Sequence, residues 1–202
     1  MKGGEPMPPK FKFTRQQIVD AAVDVTRQGG ASALTARALA ARLGCSVKPI
    51  FGLFENMQQV QQAVLAAADA LYQSYIQRDM ASGQYPPYKA SGMAYIRFAK
   101  EEPELFKLLF MRDRTGETPT ENRQQVQPLI DLIRKNAGLS ESDAYLFHME
   151  MWLYVHGIAT MIATAYLNWD DQLVSRVLTD AYLGLCSRYA AGGREPSGAG
   201  RE

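Results

Sequence analysis

The sequence predicts an all-α protein, and three observations carry that prediction. Apolar residues recur at three-to-four spacing, no sustained stretch alternates with the period of a strand, and helix start and stop signals repeat along the chain. The first helix opens at Phe13-Thr14-Arg15-Gln16-Gln17-Ile18, where Thr14 caps, Gln17 completes a capping box, and Phe13 and Ile18 form a hydrophobic staple. Ile18, Ala21, Ala22 and Val25 mark its apolar face, and Gly29-Gly30 stops it. A short helix follows with Thr35 as cap and Leu39, Ala40 and Leu43 inward, ended by Gly44. A third is expected to be capped by Ser46, with Pro49 in its first turn and Ile50, Phe51 and Phe54 as its apolar side.

Asn56 with Gln59 opens a long helix to about residue 80, striped by Val60, Val64, Ala67, Leu71 and Tyr75. The break Ser82-Gly83-Gln84-Tyr85-Pro86-Pro87 precedes helices at about 88–101 and 104–111, divided by Pro103. Residues 112–120 read as a loop, and a helix at about 121–137, bent near Pro128, is closed by Gly138. Ser140 with Asp143 opens a long helix to about 167, and Asn168 with Asp171 opens the last, to about 190. Nine helices are therefore expected, with a disordered basic arm at 1–12 and a disordered tail at 191–202.

Charge divides the chain. The net charge is only +1, yet residues 1–60 hold eight Lys and Arg against four acids, and the remainder is mildly acidic. A basic head on a neutral-to-acidic body is the first functional clue. Cys45 and Cys186 lie far apart, which excludes a disulfide framework or a zinc knuckle. The start of the chain lacks the apolar stretch of a signal peptide, and the run from Met151 to Leu167 is broken by His156, Thr160 and Thr164. A buried helix fits that run better than a membrane span. The expectation is a soluble, reduced, cytoplasmic protein with no membrane partner.

Residues 35–54 hold the informative chemistry. A short helix, a turn on Gly44 and a second short helix make a helix-turn-helix, with Ala36, Ala38, Ala40 and Ala41 small enough for the crossing. In such a unit the second helix enters the major groove, so Ser46, Val47, Lys48 and Pro49 would face base edges. Two short helices joined through a glycine also occur in proteins that bind no DNA, and the basic head tilts the choice toward binding.

The stretch 13–62 resembles the N-terminal domain of the TetR/AcrR transcriptional regulators, through F-T-R-Q-Q-I-V-D-A-A (13–22), L-T-A-R-A-L-A-A-R-L-G-C-S (34–46) and P-I-F-G-L-F-E-N-M-Q-Q-V (49–60). W-L-Y-V-H-G-I-A (152–159) resembles the Trp-His-Gly signature of one subgroup. The resemblance implies a helix-turn-helix DNA-binding head at 13–56 and a helical effector-binding and dimerisation body at 57–190. It further implies a homodimer on a near-palindromic operator in double-stranded DNA, with an unknown small-molecule effector that spreads the heads through the long connecting helix. Pro49, Ile50, Phe51, Leu53 and Met57 depart from the family pattern and remove a Tyr hydroxyl, a His and a Lys as phosphate anchors. The remaining DNA contacts are Thr35, Arg37, Arg42, Ser46, Val47, Lys48, Pro49 and Phe51, with Lys10 and Lys12 of the arm, and the salt dependence should be shallow.

In the body, Phe98, Phe106, Phe110, Met149, Trp152 and His156 are candidates for an effector pocket, although each is also an ordinary core residue. The stripe Leu173, Val177, Leu178, Ala181 and Leu185 is the candidate dimer interface, and part of it can equally serve its own core. His148 and His156 are the only histidines, and two helical turns separate them by roughly 12 Å, so no metal site or cofactor is expected. Glu101-Glu102-Pro103-Glu104 reads as a solvated helix junction and Glu150 as a partnered carboxylate. HExxH, Gly-rich phosphate-loop and GxSxG motifs are missing, which argues against an enzyme. The reading that follows is a DNA-binding transcriptional regulator, a repressor released by a small apolar effector. The rival is a helical ligand-binding or interaction protein whose DNA head has degenerated.

Overall fold

A computed structural model describes residues 13–113, 115 and 119–190, the side chains of 119–125 excepted. The described residues form nine α-helices and no strand. They are α1 (Arg15–Gly29), α2 (Ala36–Leu43), α3 (Lys48–Phe51), α4 (Met57–Ala81), α5 (Pro87–Glu101), α6 (Pro103–Phe110), α7 (Pro119–Ala137), α8 (Glu141–Ala163) and α9 (Asp171–Ala190), with one 3-10 turn at Ala31–Ala33.

The chain divides into two compact units. The head comprises the chain up to Leu71 together with Glu104–Arg112, and the body comprises Tyr72–Pro103 and the chain from Asp113 onward.

In the head, the expected capping box forms: Gln17 N–H donates to Thr14 Oγ1 at 3.2 Å, and Thr14 N–H donates to the Gln17 side chain at 2.8 Å. Gly30, with φ of 75°, turns the chain out of α1 as a residue bearing a Cβ would resist. Ile18, Ala22, Leu39, Ile50, Phe54, Val60 and Val64 close the core, and Phe13, Leu53, Met57 and Leu108 pack against it. Leu108 brings α6 onto the head, so this stretch belongs to the unit that precedes it in sequence by more than a helix.

In the body, α5 packs along α8 and also meets α7 and α9, while α8 contacts α7 and α9. Ile130, Ile133, Ala144, Phe147 and Met151 form a core against which Tyr88, Ala181, Tyr182 and Leu185 pack. Buried Asp79 is held by Arg97, whose Nη1 donates to both carboxylate oxygens at 2.9 and 2.8 Å.

Three boundaries differ from the sequence expectation. The residue before α3 is Val47, already at helical φ and ψ of −69° and −20°, so Ser46 lies one residue outside and caps nothing. α8 ends at Ala163 rather than near 167, because Ala165 takes a positive φ of 59° and the N–H groups of Tyr166 and Leu167 both donate to the Met161 carbonyl. α9 is capped by Asp170, which accepts from Leu173 N–H at 2.8 Å, and not by Asn168. The expected arm and tail lie outside the described residues.

Candidate nucleic-acid interface and effector pocket

The helix-turn-helix is built from local rules. Thr35 caps α2 by accepting from Ala38 N–H at 3.1 Å, and Gly44 at φ 63°, ψ 38° ends it in the left-handed conformation that a glycine adopts without strain. α3 is a single turn with Pro49 near its start, where a missing N–H costs nothing. Ile50 is fully buried and pins that turn to the head core, whereas Val47 and Phe51 are 40% and 42% exposed beside exposed Ser46 and Lys48. One turn thus presents two apolar side chains and a cation together on its outer edge.

The basic residues divide by their surroundings. Arg37, Lys48 and the cap Thr35 are exposed. Arg42 donates to Asp24 of α1 at 2.6 Å, a carboxylate that it shares with Arg27 at 3.2 Å. Arg15 lies 4.0 Å over the Phe54 ring and donates to the Leu53 carbonyl at 2.9 Å. Leu53 and Met57 pack against the head core, and Lys10 and Lys12 lie outside the described residues.

The body holds a cavity of about 490 Å³. α4 contributes Tyr72 and Ile76, and α5 contributes Tyr88, Lys89, Ser91, Gly92 and Tyr95. Leu129 and Asn136 come from α7, and His148, Met151, Trp152 and Val155 from α8; Leu178, Thr179 and Tyr182 of α9 complete the wall. This is the size and the apolar-with-few-polar-groups character of a small-molecule site.

A hydrogen bond of 3.1 Å joins the Tyr88 hydroxyl to His148 Nδ1. Burial pushes His148 down from 6.5 to about 4, leaving it neutral, and burial with the neighbouring Tyr182 pushes the Tyr88 phenol up. Lys89 Nζ donates to Thr179 Oγ1 at 2.7 Å and sits 4.9 Å from the Tyr85 ring centroid.

Of the pocket residues nominated by sequence, Trp152 lines this cavity. Phe98 is fully buried outside its lining, tilted against Tyr72 and edge-on to Tyr75 at 5.4 Å from each. Phe106 and Phe110 lie on α6, 5.2 Å from one another, in the head unit. Met149 is half-buried on α8, and His156 meets the Tyr95 hydroxyl at 2.8 Å with its ring stacked 5.1 Å from that of Trp152. Sequence reasoning missed Tyr88, Lys89, His148 and Tyr182. The usable signal was the spacing Tyr88, Ser91, Gly92, Tyr95 on one side of α5, with Lys89 on its edge.

Part of the α9 stripe serves its own body. Leu178 is buried, Ala181 and Leu185 pack on the core around Phe147, and Leu173 and Val177 are half-buried. Exposed instead are Leu146, Leu153, Tyr154 and Met161, on one side of α8, and Leu183 of α9. Glu150 is partnered by Arg188 at 2.7 Å.

Residues 88–185 match the family model for the tetracyclin repressor-like C-terminal domain. An uncharacterized HTH-type transcriptional regulator of Mycobacterium tuberculosis is 22% identical over 180 residues, covering 87% of this chain and 81% of that protein. A TetR-like transcriptional regulator from Rhodococcus sp. RHA1 superposes with a TM-score of 0.62 at 17% identity, over 88% of this chain and 95% of the other. A putative TetR family regulator from Vibrio parahaemolyticus gives 0.59 at 16% identity, over 84% and 97%. The chain thus has the fold of the TetR-like regulators, and residues 88–185 are similar to a tetracyclin repressor-like C-terminal domain.

Proposed function

We propose that the protein is a cytoplasmic, homodimeric repressor that binds a near-palindromic DNA operator and leaves it when a small, largely apolar effector fills the body cavity. The observation that carries the reading is the outer edge of α3. Lys48 stands between exposed Val47 and Phe51 while Ile50 of the same turn is fully buried. An apolar pair can meet thymine methyl groups, and the cation can reach a phosphate or a guanine edge. Arg37 and Thr35 supply backbone contacts beside it.

The exposed apolar side of α8 supports a two-fold dimer, which would present two such edges to two half-sites. Trp152 stacked on His156, with Gly157 following, supports placing the body in the Trp-His-Gly subgroup. The cavity in the body supports effector control, and α4 is the element through which it would act: the helix gives Val60 and Val64 to the head core and Tyr72 and Ile76 to the cavity wall. On this reading the chain binds and does no catalysis.

The inward packing of Leu53 and Met57 favours the rival, a ligand-binding protein with a degenerate head, because neither side chain is placed to anchor a phosphate. Selection from random duplex DNA followed by gel shift separates the two. The repressor reading expects one enriched, near-palindromic sequence whose binding drops at least tenfold in Lys48→Ala, about 1.4 kcal/mol. No enrichment by the well-folded protein would support the rival.

A further inference from the structure

We propose that the ligand of the body cavity is an apolar monocarboxylate, held with its carboxylate against the ammonium of Lys89 and its hydrocarbon among the aromatic rings of the wall. The proposal rests on the reading of this cavity as an effector site and adds the chemical class of what enters it.

Lys89 is the one charged residue of the cavity wall, and no Asp or Glu lines it among the described residues. Its partners are neutral: the Thr179 hydroxyl at 2.7 Å and the face of the Tyr85 ring. Thr179 spends its own proton on the Ser175 carbonyl at 2.9 Å, so it faces Lys89 purely as an acceptor. An ammonium has three N–H donors, and Thr179 takes one.

Two other cations of the body are met by carboxylates. Arg97 sits on Asp79 and Asp171, and Arg188 on Glu150. A half-buried cation on an apolar cavity, left without a counter-charge among the described residues, is completed by an anionic ligand. Two other polar groups of the wall are already engaged. His148 is neutral and bonded to Tyr88, and the Ser91 hydroxyl donates to the Tyr88 carbonyl at 2.7 Å. The wall therefore offers one cationic point against an apolar, ring-lined volume of about 490 Å³, which suits an anion with a substantial hydrocarbon body.

The test is calorimetric titration of the full-length protein, without DNA, using dodecanoate and 1-naphthylacetate below their aggregation limits, with dodecanol and 2-(1-naphthyl)ethanol as neutral counterparts. At least one acid is expected to bind more tightly than its alcohol. Lys89→Met should weaken that acid roughly tenfold to a hundredfold, the worth of a hydrogen bond to a charged group, and leave the alcohol unchanged, while Lys89→Arg retains most of the acid affinity. The pair that binds decides between an alkyl and an aromatic body. Alcohols binding as tightly as acids, or Lys89→Met leaving acid affinity intact, would overturn the carboxylate and leave the effector site standing. Binding of none of the four would overturn the proposal. Since DNA is absent, neither result depends on operator recognition.

Discussion

His148 is held in its neutral form by burial, and that single residue makes stability depend on pH. Its folded pKa is lowered from 6.5 to about 4, so between those values the unfolded chain binds a proton that the folded protein refuses. Stability is unaffected by this residue above pH 6.5 and falls as pH drops from 6.5 toward 4. Relative to His148→Gln, the wild type should lose about 2–3 kcal/mol across that window, at roughly 1.4 kcal/mol per pKa unit. Chemical denaturation of both proteins at pH 7 and 4.5 measures the difference, and parallel pH profiles would refute it. Asp79 gives a second prediction. Its carboxylate is buried beneath Arg97, so Asp79→Asn leaves a half-buried guanidinium poorly matched and should cost on the order of 3 kcal/mol in urea unfolding.

At the scale of elements, the proposed pairing of copies of this chain would fall to α8. Leu146, Leu153, Tyr154 and Met161 are exposed on one side of it, and Gly157 lies at the centre of that side with nothing within 4 Å of where a Cβ would stand. Isologous packing of α8 on its partner would use that gap for close approach. Gly157→Gln therefore separates two effects. The lone chain should gain about 0.5–1 kcal/mol, since glycine is a poor helix former, whereas the dimer should weaken or dissociate in sedimentation. A variant that stays dimeric at the wild-type concentration would move the interface elsewhere. α3 shows the opposite limit of helical logic. With four residues it has no periodicity of its own, and what fixes its position is buried Ile50 below and Gly44 before it.

For the whole molecule, the basic head would set the salt dependence of the proposed DNA binding. Arg42 shares Asp24 with Arg27 and Arg15 is engaged with Leu53 and Phe54, so Arg37 and Lys48 are the exposed cations of the helix-turn-helix with no ion pair among the described residues. A dimer using these two per protomer gives a slope of log K against log salt of about −4, and about −7 if Lys10 and Lys12 of the arm also engage. A measured slope of −10 or steeper would require phosphate contacts from elsewhere.

Most of the fold was legible because its signals are local. Thr14 and Gln17, Thr35, Gly44, Gly138 and Ser140 act on backbone groups within four residues of themselves, and each sets a helix end in the structure as its sequence position implies. The helix-turn-helix was legible for the same reason. The cavity was not: its wall collects residues from five helices, α4 to α9 without α6, and periodicity reports that a residue faces inward without reporting what stands opposite. Phe106 and Lys89 show the difference. Nothing local distinguishes an aromatic that packs with the head from one that lines the body, and nothing local reveals that Lys89 meets a threonine hydroxyl ninety positions away rather than a carboxylate. The sequence by itself determined the helices, their order and the helix-turn-helix of the head; tertiary packing alone decided which faces are spent on the core, because burial is a property of the assembled neighbours and not of the chain's own spacing.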